Sequence, residues 1–211
     1  MSQTRCIETI RVENRKIYNL KYHNERLNNT RIQLWNYEDK WDLEKLIVIP
    51  EDLTPARYKL RIAYKQQIED IRWEPYTQRK INSIKLIHDD HVDYAYKYDQ
   101  RDYLTQLFGL RDQADEILIV KNQMITDAYF YNVAFYDGSH WYTPNTPLLP
   151  GTQRAFLLET GKIKSKSISV ASLANFTSLR LFNALTPWET APELSINQVQ
   201  GWFLQLKSVS I

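Results

Sequence analysis

Cysteine is nearly absent from this chain: Cys6 is the only one in 211 residues. A single thiol can form neither an internal disulfide nor a thiolate metal cage, and it points to a reducing, cytoplasmic setting. Glycine is scarce as well. The chain has five, and no two stand close enough for the glycine-rich turns that cradle dinucleotides or the phosphates of a P-loop. Charge of one sign is lacking: 27 Lys and Arg face 25 Asp and Glu, so nothing general steers the chain toward nucleic acid or an anionic membrane. Long apolar runs are missing too. The longest stretch without Asp, Glu, Lys or Arg, Gly138–Gln153, holds three prolines and cannot be a membrane helix. The opening Met-Ser-Gln-Thr-Arg-Cys-Ile-Glu has no apolar core and is no signal peptide. No internal repeat or low-complexity segment occurs.

What is present describes a globular protein. Hydrophobic residues make up 43% and charged residues 25%, enough to bury a core in one large domain or two small ones. Fourteen Tyr, seven Phe and six Trp are spread along the chain. Tyrosine suits half-buried strands, because its ring buries area while its hydroxyl finds water or a partner.

The first segment reads as a hairpin, Ile7–Val12 and Lys16–Leu20, with Asn14 tolerating the positive φ of the turn. Helices are predicted from about Tyr22 and near Asp42–Leu46. Period-two alternation begins at Ala56, where Tyr58, Leu60, Ile62 and Tyr64 alternate with Arg57, Lys59 and Arg61. It predicts an antiparallel strand with a basic outer face. Strands follow at 68–76 and 81–87. The second half predicts a helix over 99–113 with Tyr103, Leu104, Leu107 and Leu110 on one side. Strands are predicted at 116–121, 124–129, 131–136 and 179–183. Pro144, Pro147 and Pro150 punctuate a loop into a short helix at 152–160, ended by Gly161, and a closing helix spans 196–206. This organisation is a small α+β unit over 1–92 and a larger α/β unit over 93–211.

Three stretches carry chemistry. His88-Asp89-Asp90-His91 has metal-ligand residue types, but four consecutive side chains cannot converge on one ion, so a polar turn is the simpler reading. Asp93–Asp99, if a strand, puts Tyr94, Tyr96 and Tyr98 on one face and Ala95 and Lys97 on the other. A lysine drawn into a pocket loses hydration and becomes a usable amine nucleophile. Pattern alone favours core tyrosines with Lys97 in water, since lysine is rarely fully buried. Finally, the proline-stiffened loop enters a helix at Gly151-Thr152, where unpaired N–H groups and the helix dipole suit a phosphate. An ordinary capped helix start would look alike.

Taken in order, these segments resemble the fold-type IV pyridoxal-phosphate family, the class IV aminotransferases and 4-amino-4-deoxychorismate lyases. The matching pieces are Glu8-Thr9-Ile10-Arg11-Val12, His23-Asn24-Glu25-Arg26-Leu27, and Lys97 followed by Arg101. They continue through Ala114–Ile119, Thr126-Asp127, Asn132-Val133-Ala134-Phe135 and Tyr142-Thr143-Pro144. Leu149-Pro150-Gly151-Thr152-Gln153-Arg154 and Asn183-Ala184-Leu185-Thr186-Pro187 close the series. The likeness runs from about residue 6 to 188 and implies a two-subdomain α+β fold, N-terminally shortened, with only Met1–Cys6 before the Glu-Thr-Ile motif.

The resemblance implies that Lys97 carries pyridoxal 5'-phosphate as a Schiff base and shuttles the Cα proton. Arg26 would bind the phosphate, together with backbone N–H groups at Gly151, Thr152 and Gln153. Asn183 and Ala184 would complete the cup, and Leu149 would pack on the pyridine ring. Asp127 stands where the family usually has Glu, the carboxylate that keeps the ring nitrogen protonated so that the ring absorbs electrons. No metal is implied. A homodimer acting on a small amino substrate is.

Arg101, four residues after Lys97, and the Asn-Ala-Leu-Thr-Pro segment favour the lyase branch, releasing pyruvate and 4-aminobenzoate. An amino-acid aminotransferase of branched-chain or D-amino acid type is the alternative on the same residues. An inactive family member is a second alternative, motivated by the shortened start and by Asp127. A tyrosine-rich sheet binding single-stranded RNA rests on Arg57–Lys65 alone.

Overall fold

The computed structural model of the protein describes residues 4–201. β1 (Cys6–Glu13) and β2 (Lys16–Ile17) form the hairpin, with Asn14 and Arg15 at φ 51° and 59°. Two left-handed residues in succession are what a two-residue turn needs to match strand twist. α1 (Leu20–Trp35) ends at Asn36, whose φ of 58° closes the helix as its N–H donates to the Ile32 carbonyl. The single-turn α2 (Leu43–Leu46) is capped by Asp42, whose carboxylate accepts from the Glu44 N–H. β3 (Arg57–Tyr64) and β4 (Ile68–Pro75) complete an antiparallel sheet in the order β2-β1-β3-β4.

The pleat of this sheet sorts the side chains by function. Cys6, Ile10 and Val12 of β1 and Leu60, Ile62 and Tyr64 of β3 are buried in one cluster with Leu27 of α1. Glu8 falls in the same alternating row and is buried with them. Ile7, Thr9, Lys59 and Arg61 occupy the other face, with Thr9 in register with Arg61, and they line a cavity. The basic side of β3, read from sequence as an outer face, is therefore a cavity wall. Period two says which residues share a face; it does not say what that face meets.

After β5 (Ile84–His88), Asp89 accepts from the His91 N–H at 2.8 Å in a polar turn. The segment 93–99 is not the expected strand. The Asp93 carboxylate accepts from the Ala95 N–H and bends the chain, Ala95 is exposed, and Tyr98 alone makes a bridge, to Cys6. Instead the segment is pinned along the start of β1. Ile7 N–H donates to the Lys97 carbonyl at 2.9 Å, and Asp99 N–H to the Arg5 carbonyl at 2.8 Å. The Asp99 carboxylate adds ion pairs to Arg5 and Arg61.

α3 (Asp102–Gly109) is shorter than the predicted 99–113 and buries Leu104 and Leu107. Tyr103 and Leu110 are exposed, because one residue rotates about 100° around a helix and Leu110 lies past its end. β6 (Glu116–Lys121) pairs parallel with β5 and antiparallel with β7 (Met124–Ala128) across a turn at Asn122 and Gln123, both of positive φ. β8 (Asn132–Tyr136) and β9 (Trp141–Pro144) follow. Next come α4 (Thr152–Glu159), β10 (Lys164–Lys166), β11 (Ser178–Phe182), β12 (Glu193–Ser195) and β13 (Val199–Gln200).

These strands make two further sheets, ordered β13-β5-β6-β7 and β10-β9-β8-β11-β12. Their facing apolar rows, among them Leu86, Leu118 and Val120 against Val133, Phe135 and Leu181, form the largest core cluster. The predicted closing helix is corrected over its described part. Ile196–Gln198 is one 3-10 turn held by a capping box between Ser195 and Gln198, and Val199 then pairs with Ile84 in a parallel strand. Residues 202–206 lie outside the described residues.

Candidate active site

The cavity between the first sheet and the two later ones has a volume of about 390 Å³. Lys97 lines it, as do Arg26 of α1 and Asp127 of β7. Leu149, Gly151, Thr152 and Gln153 form one wall, and Asn183 and Ala184 another. All nine residues singled out in the sequence thus border a single space, although they come from five separate stretches of chain.

Lys97 reaches the cavity from an irregular segment rather than from a strand, and Ala95 takes no part. Burial takes its amine down to about 7, and the guanidiniums of Arg26 and Arg101 push the same way. A sizeable fraction of the amine is therefore neutral at physiological pH, which a nucleophile or proton acceptor requires.

Asp127 is held on both oxygens. Oδ1 accepts from Asn132 Nδ2 at 2.7 Å, and Oδ2 from the Leu149 N–H at 2.9 Å. Burial raises its carboxyl to about 6 against the opposing pull of those hydrogen bonds. Above that pH it is an oriented carboxylate. Asn132 spends its second N–H on the Leu149 carbonyl at 2.9 Å, so one amide ties β8, the carboxylate and the proline loop together. This explains Gly151. A Cβ there would lie 2.0 Å from Asn132 Oδ1, so only glycine lets the loop pass. Its φ of −71° is ordinary; close approach, not a special backbone angle, demands the glycine.

At the opposite end, α4 starts inside the protein, with Thr152 and Gln153 buried. Gln153 Oε1 accepts from Asn19 Nδ2 at 2.6 Å, which ties the start of α4 to that of α1. The first-turn N–H groups and the guanidinium of Arg26 together can hold an anion. The Asn183 side chain builds a turn, its Oδ1 accepting from the N–H groups of Leu185 and Thr186, both at 2.9 Å.

Several contributors were not evident in the sequence. Glu8 and His23 stand behind Arg26; their partners lie 15 and 18 residues from Glu8, beyond any local motif. Lys59, Arg61 and Arg79 line the cavity as further cations, beside the Arg101 already singled out with Lys97. Of these, Lys59 pairs with Glu74, Arg61 with Asp70 and Asp99, and Arg79 with Glu116. Arg101 donates to the Tyr129 carbonyl and lies over the rings of Tyr129 and Phe130 at 4.4 and 4.8 Å. Its Nε is buried without a hydrogen-bond partner. Among the described residues, no group of three or more His, Cys, Asp or Glu is placed to hold a metal ion. No described helix is long and apolar enough to cross a membrane.

Residues 5–190 match the family model of the class IV aminotransferases. The chain belongs to that family. It is 34% identical over 186 residues to an uncharacterized protein of Haemophilus influenzae, covering 87% of this chain and 96% of that one. It is 31% identical to a crystal structure from Haemophilus somnus described as a candidate 4-amino-4-deoxychorismate lyase. That likeness has a TM-score of 0.80 and covers 89% of this chain and 99% of the other. A structure from Mycobacterium tuberculosis described as a hypothetical aminotransferase, solved with pyridoxal phosphate bound, shares the fold at a TM-score of 0.75 and 16% identity, over 93% of this chain and 81% of that one.

The protein is thus an α+β, fold-type IV enzyme, and its family depends on pyridoxal phosphate. The residues present fit that cofactor. A lysine amine of lowered pKa, an oriented carboxylate and an anion cradle border one cavity, and the absence of a Cβ at position 151 lets the cradle's loop pass against Asn132.

Proposed function

We propose that this protein is a 4-amino-4-deoxychorismate lyase-like enzyme, releasing pyruvate and 4-aminobenzoate. The observation that carries the reading is one cavity lined by the Lys97 amine, the Asp127 carboxylate and the start of α4. Bound there, pyridoxal phosphate supplies a ring that accepts electrons from the substrate carbon. Lys97 would hold the cofactor, and its amine, when free, would take the proton from the substrate Cα. Its amine is suited to this because it sheds its proton near pH 7. Asp127 would keep a proton on the pyridine nitrogen, with its carboxylate oriented by its two hydrogen bonds. Arg26 and the N–H groups of Gly151, Thr152 and Gln153 would bind the phosphate, the turn at Asn183-Ala184 would close the cup, and Leu149 would pack on the ring.

The lyase branch is supported by the cations of the cavity wall, since its substrate carries two carboxylates, one on the ring and one on the ether side chain that leaves as pyruvate. Arg101, which lines the cavity with its guanidinium held over the Tyr129 and Phe130 rings, suits such a ligand. The Haemophilus somnus likeness supports the same branch. The functional unit in this reading is a cytoplasmic homodimer, in keeping with a lone, buried and free Cys6.

The test supplies purified, cofactor-loaded protein with 4-amino-4-deoxychorismate and, separately, with an amino donor and 2-oxoglutarate. Release of 4-aminobenzoate is expected in the first assay. Amino-group transfer without 4-aminobenzoate would replace the lyase by an aminotransferase, and silence in both would leave a cofactor-binding protein without activity.

A further inference from the structure

We infer that Glu8 and His23, which do not line the cavity, are positioning residues that set its anion cradle from behind. Glu8 sits in an otherwise apolar row of β1 and is fully buried, as is His23. A carboxylate in such a row is retained only if its partners give it a use. Its partners are specific. Oε1 accepts from Arg26 Nε at 2.9 Å, and Oε2 accepts from Arg26 Nη2 at 2.6 Å and from His23 Nδ1 at 2.6 Å. The other ring nitrogen, His23 Nε2, lies 3.2 Å from the Thr152 hydroxyl.

The chemistry of these groups fixes every proton in the chain. Arg26 and His23 outweigh burial and hold the Glu8 carboxyl at about 2, so Glu8 only accepts. Nδ1 of His23 must then carry the hydrogen. Burial lowers the His23 pKa, so the ring is neutral and Nε2 is an acceptor. The Thr152 hydroxyl therefore donates inward to His23.

Two consequences reach the cavity. The first-turn N–H groups of α4 are left as the donors facing a phosphate, because the hydroxyl is turned away. Arg26 has its Nε and Nη2 clamped in a two-point grip, leaving Nη1 as the nitrogen Glu8 does not use. Arg26 and Thr152, which lie 126 positions apart in sequence and on different helices, are thus locked to one carboxylate. The cradle is built before its ligand arrives.

This inference rests on the cavity taking a phosphate-bearing cofactor, and its test separates the two ideas. Equilibrium binding of pyridoxal 5'-phosphate and of pyridoxal, which lacks the phosphate, is followed by absorbance for the wild type, Thr152→Val, Thr152→Ser and Glu8→Gln. Thr152→Val keeps the shape of the side chain and removes the donor. It is expected to weaken the phosphate ester by roughly tenfold and pyridoxal by less than about threefold. Thr152→Ser restores the wild-type ratio, and Glu8→Gln lowers the ratio further. Loss of the two ligands in equal proportion, or a Thr152→Val ratio equal to that of the wild type, would overturn the positioning role. Should Glu8→Gln not fold, Thr152→Val and Thr152→Ser decide the matter alone. Failure of the wild type to bind either ligand would overturn the cofactor reading itself, and this inference with it.

Discussion

Replacing Gly151 by alanine is the sharpest perturbation of the site. The new Cβ would sit 2.0 Å from Asn132 Oδ1, well inside the 3.0 Å below which such contacts do not occur. The neighbour is not a free side-chain end. The Asn132 amide donates to Asp127 Oδ1 at 2.7 Å and to the Leu149 carbonyl at 2.9 Å. Moving it breaks a charge-assisted bond and a neutral one in a buried setting. These are worth about 2 and about 1 kcal/mol, so Gly151→Ala should cost about 3 kcal/mol. Asp127 would also lose one of the bonds that restrain its carboxyl pKa, which then rises above about 6. Urea unfolding of wild type, Gly151→Ala, Asn132→Ala and the double variant measures the coupling. In the Asn132→Ala background the glycine substitution should cost under about 1 kcal/mol, a coupling of about 2 kcal/mol. A single variant within about 0.5 kcal/mol of wild type, or strict additivity of the two changes, would refute the close-approach explanation.

Other expectations follow from the same coordinates. Lys97 titrates near 7 in the folded chain and near 10.5 when unfolded, so between these values the unfolded chain binds more protons. Stability of the cofactor-free protein should therefore rise with pH from about 7 to about 10, and thermal melts of Lys97→Met should lack that rise. Arg101→Gln removes one of the cations that depress the Lys97 amine, so the pH midpoint for cofactor attachment should move upward in an absorbance titration. Leu27→Ala empties a fully buried position in the core beneath the first sheet and should cost about 2–5 kcal/mol in urea unfolding, with the cofactor spectrum unchanged.

Much of this architecture is legible in local sequence. Asn14 marks a tight hairpin because asparagine tolerates the left-handed region, and Glu116–Lys121 forms the expected strand. The pocket residues were found through the order of motifs along the chain, not through periodicity. What escaped local reading is nonlocal or hinges on one hydrogen bond. The Asp93 side chain bends a segment whose alternating tyrosines look like a strand. Lys59 and Arg61 look solvated until the third dimension supplies the opposite wall of the cavity. Val199 belongs to a sheet through Ile84, 115 positions away, and no helical spacing could reveal that pairing. Glu8 is legible in the sequence only as part of a motif, and its contacts with His23 and Arg26 exist only once α1 folds onto β1.

The most direct measurement is chemical mapping of the attachment site. Protein loaded with pyridoxal phosphate is reduced with borohydride, digested, and analysed by mass spectrometry. A single stoichiometric pyridoxyl group on Lys97 is the expected result. Label spread over exposed lysines such as Lys21 and Lys45, with Lys97 unmodified, would contradict the assignment of the cavity.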